Sequence, residues 1–186
     1  MSHARGQNRR RVLVLGFCLP FIISNLIQQA CATELVNTMF TDLQLPSGEV
    51  LLVVDGAINR VNVANEAHLD IGIIQSLPHH SLRTTTSVTD GVRQFDGFLM
   101  RDLLHFLLAE GEVVTAHALN NYRVDIPISD FHDYDVLLAT HMDGERLLPS
   151  GKGPFWIIYP RDTWRQLQDI RYDYRWVWQL HRLTIK

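Results

Sequence analysis

The chain has 186 residues, of which 46% are hydrophobic and 20% are charged, a composition typical of a globular protein rather than a disordered one. Its 17 basic and 20 acidic residues give a formal net charge of −3. A chain with this acidic balance is a poor candidate for binding nucleic acid.

The first 32 residues have the pattern of a secretory signal peptide. Four arginines between residues 5 and 11 precede an apolar run over residues 12–27, and Ala30 and Ala32 follow at the spacing of a cleavage site. Pro20 interrupts the run before it reaches the roughly 20 apolar residues that a membrane-spanning helix needs. We therefore expect cleavage after Ala32 and export to the periplasm, by the general or the twin-arginine route.

Removal of the signal peptide leaves residues 33–186, which we expect to form one domain. The four arginines leave with the signal peptide and no acid does, so 13 basic residues face 20 acidic ones and the formal net charge becomes −7. Both cysteines, Cys18 and Cys31, also leave. We expect the exported domain to have neither a disulfide nor a thiolate ligand, so that its hydrophobic core supplies its stability.

The pattern beyond residue 45 predicts a mixed α+β domain in which short strands outnumber helices. A β-branched run over residues 50–56 indicates a first strand, and Asp70 is placed to cap a short helix that Pro78 ends. Threonines within residues 81–88 favour a second strand. Apolar residues at helical spacing between residues 98 and 107 predict the strongest helix of the chain.

The rest of the chain predicts strands joined by tight turns. The predicted strands span residues 113–119, 123–127, 136–141, 146–148, 155–159 and 179–185. Asp143-Gly144 is a dipeptide typical of a hairpin turn. Three nearby acids, Asp130, Asp133 and Asp135, indicate a helix cap followed by a solvated turn.

Two motifs near the end of the chain carry a resemblance to a known family. Residues 151–160 read GKGPFWIIYP, and residues 178–180 read WQL. Upstream, in matching order, come a strand ending in Gly56, the threonine-rich strand, an aromatic-x-Gly before a leucine-rich helix, and the Asp-Gly hairpin. These features resemble the molybdopterin-binding sulfite oxidase family over residues 50–185, above all its small single-domain bacterial branch. The resemblance implies the mixed-sheet sulfite oxidase fold.

The chain departs from the enzymes of that family at the metal. In those enzymes a cysteine after the threonine-rich strand ligates molybdenum, whereas residues 84–91 read TTTSVTDG here. Neutral hydroxyl groups are weak replacements for a soft thiolate. The resemblance therefore implies a pterin as the cofactor, either reduced or molybdopterin-like, and no molybdenum.

Members of this branch are understood as periplasmic pterin-binding modules, and the resemblance implies that role here. On this interpretation the protein is not an enzyme. It binds a pterin and relays the occupancy to the periplasmic domain of a membrane-bound sensor, such as a cyclic-di-GMP synthase or phosphodiesterase. Two alternatives stay open: a molybdopterin-dependent oxidoreductase with an oxygen ligand from Thr84, Thr86 or Ser87, and a scaffold whose pocket is empty.

A pterin is a flat bicyclic amide, so its site needs an aromatic or guanidinium face and a carboxylate for the amino-pyrimidinone edge. The segment around residues 175–178 supplies the stacking groups, and Asp90, Asp125 or Asp162 is placed to supply the carboxylate. The predicted pterin-binding residues are Arg175, Trp176, Trp178, Tyr159, Asp162, Asp90, Thr84, Thr86, Asn120 and Tyr122.

The same residues also have purely structural interpretations. One tryptophan of residues 176–178 is expected to face the core, because side chains alternate across a strand. Arg175 has Asp162 and Asp173 as candidate partners for an ion pair, and the threonines favour a strand whatever their function. The histidines at 79–80 would point to opposite faces of an extended chain, which disfavours a metal site.

Overall fold

The computed structural model describes residues 43–186, so the predicted signal peptide and its cleavage site lie outside the described residues. The strands are β1 (Leu52–Gly56), β2 (Ala67–Leu69), β3 (His80–Thr86), β4 (Thr89–Leu99), β5 (Val113–Ala118), β6 (Arg123–Pro127), β7 (Leu137–Met142), β8 (Glu145–Arg146), β9 (Trp156–Ile158) and β10 (Leu180–Ile185). The helices are α1 (Ile71–Ile74), α2 (Met100–Phe106), α3 (Ile128–Asp133) and α4 (Ile170–Asp173), with a 3₁₀ turn at Arg165–Gln168. Within this part of the chain no helix is both long enough and apolar enough to cross a membrane.

The strands form two five-stranded sheets. In the first sheet the order is β2-β1-β10-β5-β6, with β1 parallel to β10 and the other neighbours antiparallel. In the second sheet β3, β4, β7 and β8 follow one another, and β9 also pairs with β7. The parallel pair makes the first sheet mixed, and the predicted α+β class is confirmed.

The segment just before β10 joins the two sheets. Phe155, beside β9 of the second sheet, bridges to Leu180 at the start of β10 in the first. The backbone N–H of Ile157 donates to the carbonyl of Val177 at 2.9 Å. All four residues are buried, so the C-terminal motif is fixed against the core.

The strongest predicted helix is shorter than expected. Phe98 and Leu99 are the last residues of β4, where they pair with Leu138 and Leu137, and the helix begins at Met100. Both residues are buried, as is the inner face of α2, so the apolar spacing continues through the junction between strand and helix. The first six residues of β4, 89–94, are mostly polar and exposed, so they lack the alternation of apolar and polar residues that is typical of a strand.

The predicted cap at Asp70 is confirmed. Its Oδ1 accepts a hydrogen bond from the N–H of Ile73 at 2.9 Å, and its Oδ2 accepts from the N–H groups of Ser47 at 2.6 Å and Gly48 at 2.9 Å. These bonds, that from Ile73 foremost, stabilise the carboxylate and lower the pKa of Asp70 to about 2. The cap therefore ties α1 to the chain entering β1.

Candidate functional site

A cleft of about 270 Å³ lies between the β5–β6 turn and the segment that leads into β10. Its lining residues are Ala118, Asn120, Tyr122, Asp173, Tyr174, Trp176 and Trp178. Four of the ten predicted pterin-binding residues are among them. The fold thus brings together two segments that are far apart along the chain, since Tyr122 and Tyr174 are separated by 52 positions.

The two walls of the cleft are joined by Tyr122. Its hydroxyl donates to the carbonyl oxygen of Tyr174 at 2.8 Å. Asn120 stabilises the β5–β6 turn, because its Oδ1 accepts a hydrogen bond from the N–H of Tyr122 at 3.0 Å. Burial raises the pKa of the Tyr122 hydroxyl above its ordinary value, so this group is a neutral donor at neutral pH.

The two tryptophans of the cleft differ in their surroundings. Trp176 is 4% exposed, and its ring lies 6.0 Å from that of Tyr159. Trp178 is half-buried and meets the ring of Trp156 edge-on at 6.3 Å. The Lys152 ammonium lies 4.5 Å from the centroid of Trp178, a cation–π contact that holds this ring in place. Residues 176–178 lie outside the strands, so the expected alternation across a strand does not decide which side chain reaches the cleft.

Two buried polar atoms on cleft-lining residues have no hydrogen-bond partner in the described part of the chain. They are Oδ1 of Asp173 and Nε1 of Trp176, an acceptor and a donor. Buried polar atoms in proteins nearly always have a partner, and leaving one unpaired costs roughly 1–3 kcal/mol. A ligand that donates to a carboxylate and accepts from an indole N–H would satisfy both.

Arg175 and Tyr159 belong to a buried polar cluster rather than to the lining of the cleft. The Arg175 guanidinium pairs with Asp130 of α3, and the Tyr159 hydroxyl donates to the same carboxylate oxygen at 2.8 Å. The Arg175 and Asp130 side chains are 15% and 8% exposed. Burial, then the Asp130 charge, raises the pKa of Tyr159 well above its ordinary value, which keeps its hydroxyl protonated as a donor. The cluster fastens α3 to the segment before β10.

Asp130 corrects two expectations from the sequence. It lies inside α3, beyond the N-cap position at Pro127, and does not cap the helix. It is also the ion-pair partner of Arg175, in place of Asp162 or Asp173. Its two partners are 29 and 45 positions away along the chain, and no local pattern indicates a pairing over such distances.

The predicted residues at the end of β3 form a separate polar junction. Thr85 donates to Asp162 twice, from its N–H at 2.7 Å and its hydroxyl at 2.6 Å. The N–H of Asp162 donates to the Thr84 hydroxyl at 3.3 Å. The Thr86 and Thr89 hydroxyls share a hydrogen bond of 2.8 Å within the β3–β4 turn. None of these residues lines the cleft, and neither does Asp90, which is exposed at the same turn.

The donor groups at the end of β3 do not fit the molybdenum of the family's enzymes. Residues 43–186 contain no cysteine, and no group of three His, Asp or Glu side chains among them is arranged to hold a metal ion. The hydroxyls of Thr84 and Thr86 are engaged in hydrogen bonds, and a neutral hydroxyl is a poor ligand where the site demands a soft thiolate. The aromatic cleft, by contrast, has the chemistry that a pterin ring needs.

Comparison with known families assigns the chain to a family. A family model described as oxidoreductase molybdopterin binding domain matches residues 36–164, more than half of the chain. The chain belongs to this family. The match ends before Asp173, Trp176 and Trp178, so the wall of the cleft that carries the tryptophans lies beyond it. No curated protein matches the chain.

Among solved structures, the chain is similar to the sulfane dehydrogenase SoxCD from Paracoccus pantotrophus. The two share 16% sequence identity with a TM-score of 0.55, over 77% of this chain. The match spans 39% of the SoxCD chain, about two-fifths of its length. At this identity the likeness shows the fold alone, and it confirms the predicted mixed-sheet sulfite oxidase fold.

Proposed function

We propose that this domain binds a pterin in the aromatic cleft. The observation that carries the proposal is the pair of unpartnered buried atoms, Asp173 Oδ1 and Trp176 Nε1, on residues that line the same cleft. The amino-pyrimidinone edge of a pterin presents N–H donors beside a carbonyl acceptor, which complements a carboxylate and an indole N–H. Trp178 and Tyr122 supply flat surfaces for stacking.

In this proposal the domain binds its ligand without catalysing a reaction. Family membership supports a molybdopterin-type ligand. The hydroxyls at the end of β3 support a pterin without molybdenum, because Thr84 and Thr86 replace the thiolate and are already hydrogen-bonded.

The proposal includes a relay of pterin occupancy to a second protein. A pterin that binds one conformation better shifts the protein towards that conformation, by no more than the difference between its two affinities. The hydrogen bond between Tyr122 and Tyr174 joins the two walls of the cleft, so an occupant there would bias their separation. By its resemblance to the small periplasmic branch, we propose that the partner is the periplasmic domain of a membrane-bound sensor, such as a cyclic-di-GMP synthase or phosphodiesterase.

The second candidate function is a molybdopterin-dependent oxidoreductase. The comparisons favour it, since both the family model and the similar structure carry the names of oxidoreductases. It requires an oxygen ligand for the metal from Thr84 or Thr86 at the end of β3 or from Ser87 in the turn that follows.

One sample distinguishes the two candidates. The protein is purified after native export, denatured, and assayed for released pterin by fluorescence and for molybdenum by mass spectrometry. The proposed function predicts pterin without stoichiometric molybdenum. Molybdenum in near-equal amount with the protein would overturn it and support the oxidoreductase, whereas the absence of both would support the empty scaffold.

A further inference from the structure

A second cavity, of about 200 Å³, is distinct from the aromatic cleft and shares no lining residue with it. It lies where α1 meets β4, β7 and β8. Much of its lining is apolar. Ile71 and Ile74 of α1 and Leu77 just after it form one side, and Phe98 of β4 and Phe155 beside β9 form the other. Such a lining favours the burial of an apolar ligand body.

The polar part of this cavity is basic. His79, His141 and Arg146 line it, and no acidic side chain does so among the described residues. His141 and Arg146 are direct cross-strand partners on β7 and β8, so their side chains share one face of the sheet. None of the ion pairs formed within residues 43–186 includes Arg146.

This arrangement places a cation and a second hydrogen-bonding group side by side in the lining of the cavity. The Arg146 guanidinium is charged at every accessible pH and carries several N–H donors. The Thr140 hydroxyl lies 2.9 Å from Nδ1 of His141, which leaves Nε2 for another partner. A carboxylate accepts hydrogen bonds from a guanidinium and an imidazole with good geometry.

We infer that the cavity is a binding site for a small organic carboxylate with an apolar body. The body lies on the side chains of Ile71, Ile74 and Phe98, and the carboxylate accepts hydrogen bonds from Arg146 and His141. The site is independent of the proposed pterin cleft.

The test uses phenylacetate as the probe and phenylacetamide as its neutral match, because the two have the same apolar body. Each is titrated into the protein purified after native export while the amide resonances are followed by NMR. Phenylacetate is expected to bind roughly tenfold more tightly than the amide, as a charge-assisted hydrogen bond predicts, and to shift the resonances of residues 71–79 and 138–146.

Two variants sharpen the test. Arg146→Gln is expected to remove the preference for the acid, and His141→Gln is expected to reduce it, while both keep the dispersed spectrum of a folded protein. Arg123→Gln is the matched control, since Arg123 is an exposed arginine on the edge strand β6 of the other sheet. Equal affinity for acid and amide, an undiminished preference in Arg146→Gln, or no shifts at the cavity residues would each overturn the inference.

Discussion

The aromatic cleft and the junction at the end of β3 are both rich in polar side chains, but they use them differently. In the cleft, Asp173 and Trp176 each bury a polar atom that has no partner in the described part of the chain. At the junction, Asp162 and the hydroxyls of Thr84 and Thr85 are hydrogen-bonded to one another or to nearby backbone. On the proposed function the unpaired groups of the cleft bind a ligand, whereas the paired groups of the junction hold two segments of the fold together. Polar side chains that cluster in the same fold therefore need not share a role.

The buried cluster around Asp130 also holds the fold together, although Nε of Arg175 has no partner among the described residues. Its loss has the largest expected effect. Asp130→Ala would leave the Arg175 charge buried without its counter-ion and the Tyr159 hydroxyl without its acceptor. We expect the free energy of unfolding to fall by about 3–5 kcal/mol, measured by urea denaturation. Asp133→Ala, at an exposed acid on the same helix, should change it by less than about 0.5 kcal/mol. Equal losses in the two variants would show that the cluster does not stabilise the fold.

The next prediction compares two aspartates directly. Asp173→Asn should weaken pterin binding by roughly 10- to 100-fold, because a carboxylate accepts a charge-assisted hydrogen bond that an amide accepts poorly. Asp162→Asn should leave the affinity unchanged and lower the free energy of unfolding by about 1 kcal/mol, since it weakens the two bonds from Thr85. Quenching of tryptophan fluorescence by added pterin measures both affinities. The reverse pattern would show that the pterin binds at the junction and not in the cleft.

Stacking should contribute less than the carboxylate. Trp178→Leu is expected to weaken pterin binding by roughly five- to tenfold, the range of an aromatic pair beyond its buried area. Trp164→Leu is the control, because Trp164 is exposed, packs against Tyr134 and does not line the cleft. Calorimetric titration of both variants with the same pterin tests this. An equal loss in the control would indicate a general effect of losing a tryptophan.

The smallest expected effect is on the pH dependence of stability, and it comes from Asp70, which lies outside both the cleft and the junction. The pKa of Asp70 is lowered to about 2 in the folded protein, so the unfolded state binds the proton more readily. The contribution of Asp70 to stability is complete above pH of about 4 and is lost as the pH falls towards 2. Asp70→Asn should flatten this part of the pH dependence of unfolding without changing pterin affinity. An unchanged slope in the variant would mean that other carboxylates account for it.

Much of the fold follows from patterns that span only a few residues. The Asp70 cap, the Asp143-Gly144 hairpin and the strand that ends in Gly56 all depend on neighbours along the chain, and each is found where it was predicted. The order of such local features also sufficed for the α+β class, and the resemblance of that order to a known family implied the sulfite oxidase fold. Two local predictions were wrong. Burial on both sides of Phe98 hides the change from strand to helix, and Asp130 lies inside α3 instead of capping it.

The sequence by itself determined the α+β class of this protein, many of its elements and the aromatic character of its last segment. Only the tertiary structure decided which polar groups meet. The pairing of Arg175 with Asp130 and the meeting of Tyr122 with Tyr174 bridge 45 and 52 positions. The same packing places Asp173 in the lining of the cleft. Strand order and register bring such partners together, and these are properties of the whole sheet rather than of any short pattern along the chain.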